Sequence, residues 1–255
     1  MTVTFPWDRA VARKTQRCQS DEMKSAAIFD LDGTLVDSGS AYFSAERDTL
    51  AHFGYAGFTV ADHSSFTGMG MEEMWKEVAA TWGLDISPAE LLKCSNRFYL
   101  RHAREGVRVF SEVVELARML RDAGFAIAVA SGSSQEVIEV VLSCTGLDHL
   151  FPIRVSAEEV QQGKPEPFVF LEASRLLSVE PDRCVVVEDA SVGVEAGLRA
   201  GMRCVAVTAA AALAHPRSAC AGRLLLAERD VLDARAVLRW ITQGEGVVRP
   251  GMVDS

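Results

Sequence analysis

No apolar run in the 255-residue sequence approaches the roughly 20 residues that a bilayer-spanning helix requires. The basic N-terminal stretch also lacks the apolar centre of a secretory signal. Neither membrane insertion nor export is expected. The six cysteines, Cys18, Cys94, Cys144, Cys184, Cys204 and Cys220, include no CxxC pair and no Cys/His group at metal-ligand spacing. That excludes a disulfide scaffold or a zinc module and favours a reduced, cytoplasmic setting. Cys184 and Cys204 each open an apolar run, where a thiol acts as a small buried hydrophobe. Positive charge is also scarce: 26 Lys and Arg face 35 Asp and Glu, and the net charge of −9 opposes capture of nucleic acid. Low-complexity tracts and internal repeats are absent.

What remains is the composition of a globular protein, with 49% hydrophobic and 24% charged residues. The length suits one full domain with a smaller insert. Ala26-Ala27-Ile28-Phe29 reads as a buried strand feeding the turn Asp30-Leu31-Asp32-Gly33-Thr34. Phe125–Ala130, Cys184–Val187 and Met202–Val207 have the same form, and Pro152–Val155 is a candidate fifth strand. Helical spacing fills the gaps at Ser111–Ala123, Ser133–Ser143, Pro165–Leu177 and Ser191–Ala200. Ser133 with Glu136 forms a capping-box pattern that starts one of these helices. Alternation of strand and helix predicts an α/β fold, a parallel sheet with helices on both faces.

Residues 38–108 break the rhythm with amphipathic helical stretches at Tyr42–His52, Met71–Trp82 and Pro88–Arg104 and no convincing strand. An insert placed directly after the first strand sits over the sheet edge where open parallel sheets bind ligands, as a lid does. Residues 25–37 and 109–242 are expected to form the core domain, 38–108 the helical cap and 243–255 a C-terminal tail. Residues 1–24 read as a dispensable extension, with Met23 as an alternative translation start.

Asp30 and Asp32 stand two apart at the end of a buried strand, a spacing that tends to put both carboxylates on one side of an extended chain. A divalent cation offsets their repulsion, and Mg²⁺ is commonly held by one or two carboxylates with substrate phosphate and water. An ordinary Asp-Gly turn with solvated carboxylates is the alternative. Ser131 follows the strand FAIAVA, Lys164 lies in GKPEP, and Glu188-Asp189 follow CVVV. Singly, Ser131 suits a turn, Lys164 a solvated loop and Asp189 a helix N-cap. In chain order, each instead falls at or near the same C-terminal sheet edge.

DLDGTLVDS, ASGSS, GKPEP and VVVEDASVGVEAG resemble the four motifs of the haloacid dehalogenase-like (HAD) superfamily, from about Ser25 to Val207. The resemblance implies a Rossmann-like sheet with a helical cap inserted after the first strand, as in the phosphoglycolate phosphatase and β-phosphoglucomutase subgroup. It further implies a phosphatase acting on a small phosphorylated metabolite, with Asp30 as nucleophile and Asp32 as acid and base. Mg²⁺ would be held by Asp30, the Asp32 carbonyl and Asp189, with Glu188. Ser131, the Gly132 amide and Lys164 would hold phosphate, and Ser38, Tyr42, Met69 and Met71 would face the substrate from the cap. A monomer or weak dimer is expected, with neither nucleic acid nor membrane as partner.

Three rival activities share this core. Dehalogenases of the superfamily typically lack the second aspartate, having no alkoxide to protonate, and Asp32 argues against them. Phosphosugar mutases of the β-phosphoglucomutase type carry His at the position of Tyr42 and Arg at that of Met71; methionine supplies no cation for a second phosphate. A catalytically silent binding module has no need of the complete set of charged residues. Met69, Met71, Met74 and Trp75 suit an apolar or ring-bearing leaving group, or else Met74 and Trp75 simply pack inside the cap.

Overall fold

Ala26, Ala27, Ile28 and Phe29 have no solvent exposure, which requires neighbouring strands on both edges and cover on both faces. The computed structural model describes residues 24–66, 69–208 and 223–243 and supplies all four. The strands β1 (Ala26–Phe29), β4 (Ala126–Ser131), β5 (Ile153–Ser156), β6 (Cys184–Glu188), β7 (Arg203–Thr208) and β8 (Leu224–Glu228) form one sheet in the order β5-β4-β1-β6-β7-β8. Every pairing is parallel.

Alternation along β1 divides the interior in two. Ala27 and Phe29 face one cluster, built with α5 (Ser111–Asp122), α6 (Gln135–Thr145) and α9 (Ala234–Gln243). Ala26 and Ile28 face another, built with α7 (Phe168–Leu177) and α8 (Ser191–Arg199). This is the doubly covered sheet that the strand and helix alternation predicted. Register does the rest: Phe29 pairs with Val129 on one side and Val187 on the other. The residues that leave β1, β4 and β6 therefore emerge together at one edge.

Between β1 and α5 the chain forms a helical unit. The short strands β2 (Val36–Asp37) and β3 (Arg108–Val109) pair antiparallel at its base. From them rise α1 (Gly39–His52), α2 (Val60–Ser65), α3 (Met71–Trp82) and α4 (Pro88–Glu105). Leu50, Phe58, Met74, Trp75, Val78 and Leu91 give this unit its own apolar core. Ala41 and Ala45 of α1 and Tyr99, Leu100 and Ala103 of α4 instead join the cluster beneath the sheet, and α4 packs on α6. The unit is thus seated on the sheet domain by one face of two helices.

Several expectations need correction. Ser133 is not the cap of α6: Ser134 is, accepting from the Val137 amide at 3.3 Å. Asp189 is not an N-cap either, because Ala190 occupies that position before α8 without a side-chain bond. Met74 and Trp75 are 2% and 0% exposed inside the cap core, so they do not face a substrate. The strand β8 and helix α9 lie beyond the elements that the sequence predicts, and α9 places Val237, Trp240 and Ile241 on one buried face. Apart from Lys24 and Gln243, the latter being the last residue of α9, the proposed N-terminal extension and C-terminal tail lie outside the described residues.

Candidate active site

Asp30 follows β1 and stays in register, its amide donating to the Val187 carbonyl at 2.9 Å. Glu188, the last residue of β6, and Asp189 beside it are thereby delivered to Asp30. One carboxylate oxygen from each of Asp30, Glu188 and Asp189 lies within 4.8 Å of the others. Lys164, on the loop before α7, reaches in with its ammonium 2.5 Å from Asp30 Oδ1 and 2.7 Å from Glu188 Oε2.

Two glycines make this crowding possible. Gly33 has φ +82°, and a Cβ there would stand 2.2 Å from Asp189 Oδ2. A Cβ on Gly193, in the first turn of α8, would fall 1.9 Å from Glu188 Oε2. Glu188 is fixed further by its Oε1, which accepts from the Asp189 and Ala190 amides at 3.1 Å each. Thr34 donates to Asp189 Oδ1 at 3.0 Å.

Three carboxylates so arranged face a single ammonium. Burial pushes the Asp30 carboxyl well above its ordinary range, and the Glu188 charge adds to this against the opposing pull of Lys164. Asp189 is raised to about 7, by burial first and then by Glu188. Burial works to lower the Lys164 pKa, but the Asp30 and Glu188 charges outweigh it and hold the ammonium protonated. Buried, mutually repelling and purely oxygen-bearing, the group has the donor chemistry of a hard divalent cation site.

Asp32 has a different environment. Its Oδ2 accepts from Ser133 Oγ at 2.6 Å and from Ser131 Oγ at 3.4 Å, and its Oδ1 from Tyr99 Oη at 3.3 Å. Among the described residues its hydrogen-bond donors are hydroxyls. Tyr42 Oη lies 2.8 Å from Ser133 Oγ, and the Tyr42 and Tyr99 rings stack with centroids 4.1 Å apart. Burial, reinforced by the Asp32 charge, raises both phenol pKa values, so both hydroxyls keep their protons.

Of the remaining candidates, Ser131 ends β4 and is almost wholly buried. Gly132 beside it is exposed, with open space where a Cβ would stand. Ser38 is buried within hydrogen-bonding reach of Tyr99. Met71 packs against the cap core, and Met69 is 38% exposed. The structure gathers Asp30, Asp32, Ser131, Lys164, Glu188 and Asp189 at one sheet edge and brings Ser38 and Tyr42 to it; the two methionines take no part in this network.

Sequence reasoning missed Thr34, Tyr99, Ser133, Gly193 and Arg229. Arg229, from the turn after β8, donates to the Gly33 carbonyl at 2.6 Å and lies over the Phe110 ring at 3.9 Å. Ser133 was visible, but as a helix cap. Tyr99 sits in an amphipathic helix whose pattern explains a buried aromatic without any reference to Asp32.

Comparison with known proteins places the chain in a family. The chain is 30% identical over 192 residues to the fructose-1-phosphate phosphatase YqaB of Escherichia coli, covering 73% of this chain and 97% of that one. It is 30% identical over 225 residues to the validoxylamine A 7'-phosphate phosphatase of Streptomyces hygroscopicus subsp. limoneus, covering 82% and 93%. Its fold matches the β-phosphoglucomutase of Clostridium difficile with a TM-score of 0.71 at 21% identity, over 87% of this chain and 98% of that one. The model of the haloacid dehalogenase-like hydrolases matches residues 27–207, most of the sheet domain and the whole inserted cap, and the chain belongs to that family.

Proposed function

We propose that the protein is a Mg²⁺-dependent phosphatase that hydrolyses a small phosphomonoester through an aspartyl-phosphate on Asp30. The observation that carries this reading is the division of labour between two carboxylates two residues apart. Asp30 lies in the charged cluster, 2.5 Å from Lys164 Nζ, whereas Asp32 turns to neutral hydroxyls. Carboxylates in such different settings suit different roles, one as nucleophile and one as proton carrier.

In the first displacement an Asp30 carboxylate oxygen attacks phosphorus. The P–O bond to the leaving group breaks as Asp32, protonated, gives that oxygen its proton. In the second, Asp32 takes a proton from water, the new hydroxide oxygen attacks phosphorus, and the acyl–oxygen bond to phosphorus breaks to restore Asp30. Ser131, the open Gly132 amide and Lys164 bind phosphate oxygens while charge shifts across them. Glu188 orients Lys164. Asp30 and Asp189, with Glu188, would hold Mg²⁺, which when bound supplies the positive charge that lets an anionic ester approach an anionic nucleophile.

Relatives that act on fructose 1-phosphate and on validoxylamine A 7'-phosphate support a phosphorylated carbohydrate or similar polyol as the substrate class. The cysteine pattern, without a disulfide framework, supports a reduced, cytoplasmic setting. Assay of phosphate release from nitrophenyl phosphate and glycerol phosphate tests the mechanism. Asp30→Asn should abolish both, because an amide forms no acyl-phosphate. Asp32→Ala should lose about 10²- to 10⁴-fold on the alkyl ester and much less on the nitrophenyl ester, whose leaving group needs no proton. Full activity of Asp30→Asn would sink the mechanism.

A further inference from the structure

Arg229 joins β8 to the turn that follows β1. It opens the short turn Arg229–Val231 at the end of β8, and β8 lies three strands from β1, roughly 14 Å away at ordinary strand spacing. A long side chain is needed to help close that gap. Its Nη1 donates to the Gly33 carbonyl at 2.6 Å, 196 residues earlier in the chain, and its guanidinium lies 3.9 Å from the centroid of the Phe110 ring. Phe110 is tied to the same turn, its amide donating to the Leu35 carbonyl at 2.9 Å.

The carbonyl that Arg229 holds joins the two residues that hold Asp189. Gly33 lies so close that a Cβ there would stand 2.2 Å from Asp189 Oδ2. Thr34, fully buried, donates to Asp189 Oδ1 at 3.0 Å. Rotation of the peptide between Gly33 and Thr34 would disturb both contacts at once, and Arg229 opposes that rotation. The arginine sits there at a cost: its Nε is buried without a hydrogen-bond partner among the described residues, a defect that natural folds keep rare.

We propose that Arg229 is a positioning residue for Asp189, fixing the peptide between Gly33 and Thr34 so that the Asp189 carboxylate keeps its place in the metal site. The inference rests on the reading of Asp30, Glu188 and Asp189 as a Mg²⁺ site. It adds a contribution from β8, the edge strand on that side of the sheet.

Position and charge make opposite predictions. A guanidinium near the site repels an incoming cation, so if its charge alone mattered, removing it would tighten Mg²⁺ binding. If it holds Asp189 through the turn, removing it frees the carboxylate and Mg²⁺ binding weakens, as it does when the groups behind a metal ligand are lost. The charge does reach Asp189: burial and then Glu188 raise that carboxyl, and the Thr34 hydroxyl and Arg229 pull against them. Lysine separates the two effects. It keeps the charge, but an ammonium cannot lie flat on Phe110 while donating sideways to Gly33, as the planar guanidinium does.

The test uses the full chain and four variants: Arg229→Met, Arg229→Lys, Thr34→Val and the double variant Arg229→Met/Thr34→Val. Mg²⁺ is titrated calorimetrically without substrate, and nitrophenyl phosphate kinetics are run at saturating Mg²⁺. Arg229→Met should weaken Mg²⁺ binding about tenfold and Arg229→Lys about threefold, while KM for nitrophenyl phosphate changes less than about twofold. Methionine keeps an apolar contact with Phe110; where that variant still fails to fold, Arg229→Lys decides alone. Because Arg229 and Thr34 both act on Asp189 through one peptide, the double variant should lose less affinity than the product of the two single losses.

Mg²⁺ affinity equal to the parent's in Arg229→Lys, or tightened in Arg229→Met, would overturn the inference. So would single losses that multiply fully in the double variant. Absence of Mg²⁺ binding by the parent would overturn the metal reading itself, and the inference with it. That failure is distinguishable because it appears before any residue is changed.

Discussion

Gly193 stands so close to Glu188 that a Cβ on the glycine would fall 1.9 Å from Glu188 Oε2. That oxygen is the one that holds Lys164 at 2.7 Å. A residue in the first turn of α8 thus decides whether Glu188, at the end of β6, can turn inward.

Gly193→Ala should consequently act on the site more than on the fold. Moving the Glu188 carboxylate breaks its bond to Lys164 and its pair of amide contacts. Overpacking of this kind costs about 1–3 kcal/mol. The expected result is a lowered melting temperature, a soluble folded protein and phosphate release reduced by at least about tenfold. Turnover equal to the parent would mean that Glu188 is not needed in its present place.

Metal should stabilise the protein as well as activate it. Asp30, Glu188 and Asp189 repel one another in the folded state, and burial and mutual charge raise the Asp30 and Asp189 pKa values. A cation that binds only the folded chain raises stability by mass action, by about 2.7 kcal/mol at a hundredfold excess over its Kd. The melting temperature should therefore climb with Mg²⁺ concentration and fall again on chelation. In Asp189→Asn the rise should be much smaller. A melting temperature indifferent to Mg²⁺ would argue against a metal site here.

The cap should carry a pH-dependent contribution to stability. His63 Nδ1 lies 2.6 Å from the buried Glu46 Oε2, tying α2 to α1. The hydrogen bond to Glu46 raises the His63 pKa, against burial and with help from the Glu46 charge. A raised histidine pKa stabilises the folded state fully below the unfolded value of about 6.5, and that stabilisation disappears as pH climbs through the folded value. Melting temperatures of the parent and His63→Gln, compared from pH 5.5 to 9, should differ most at the acid end and converge at the alkaline end. A constant gap would rule out the charge of His63 as the cause.

Bisphosphate chemistry should be absent. Tyr42 is committed to Ser133 and Met71 packs into the cap core, so neither offers a cation to a second phosphate. β-Glucose 1-phosphate should not be converted to glucose 6-phosphate, with or without added sugar bisphosphate. Isomerisation at a rate comparable to phosphate release would replace the phosphatase reading with a mutase.

The hydrophobic pattern by itself determined the sheet domain as far as β7. Apolar strands such as AAIF and CVVV have no other way to bury both faces, and a helical segment between them enforces the parallel crossover. The charged residues at the strand ends were legible for the same reason: a parallel register delivers them to one edge. The last strand is not legible in the same way, because LLLAE is a short run without β-branched or aromatic residues.

The environment of Asp32 was decided only by tertiary structure. Ser133 fits a capping box with Glu136, and nothing local distinguishes it from Ser134. Moving the cap by one residue costs α6 little, since either serine satisfies a first-turn amide. The choice is made by Asp32, 101 residues earlier in the chain, to which the freed hydroxyl of Ser133 donates. Tyr99 likewise obeys its helix's apolar period and gains a second role only because α4 lies across the sheet edge. Local sequence records the preferences of a turn or a helix face; which of two equivalent hydroxyls meets a distant carboxylate is a property of packing, and packing exists only in the folded chain.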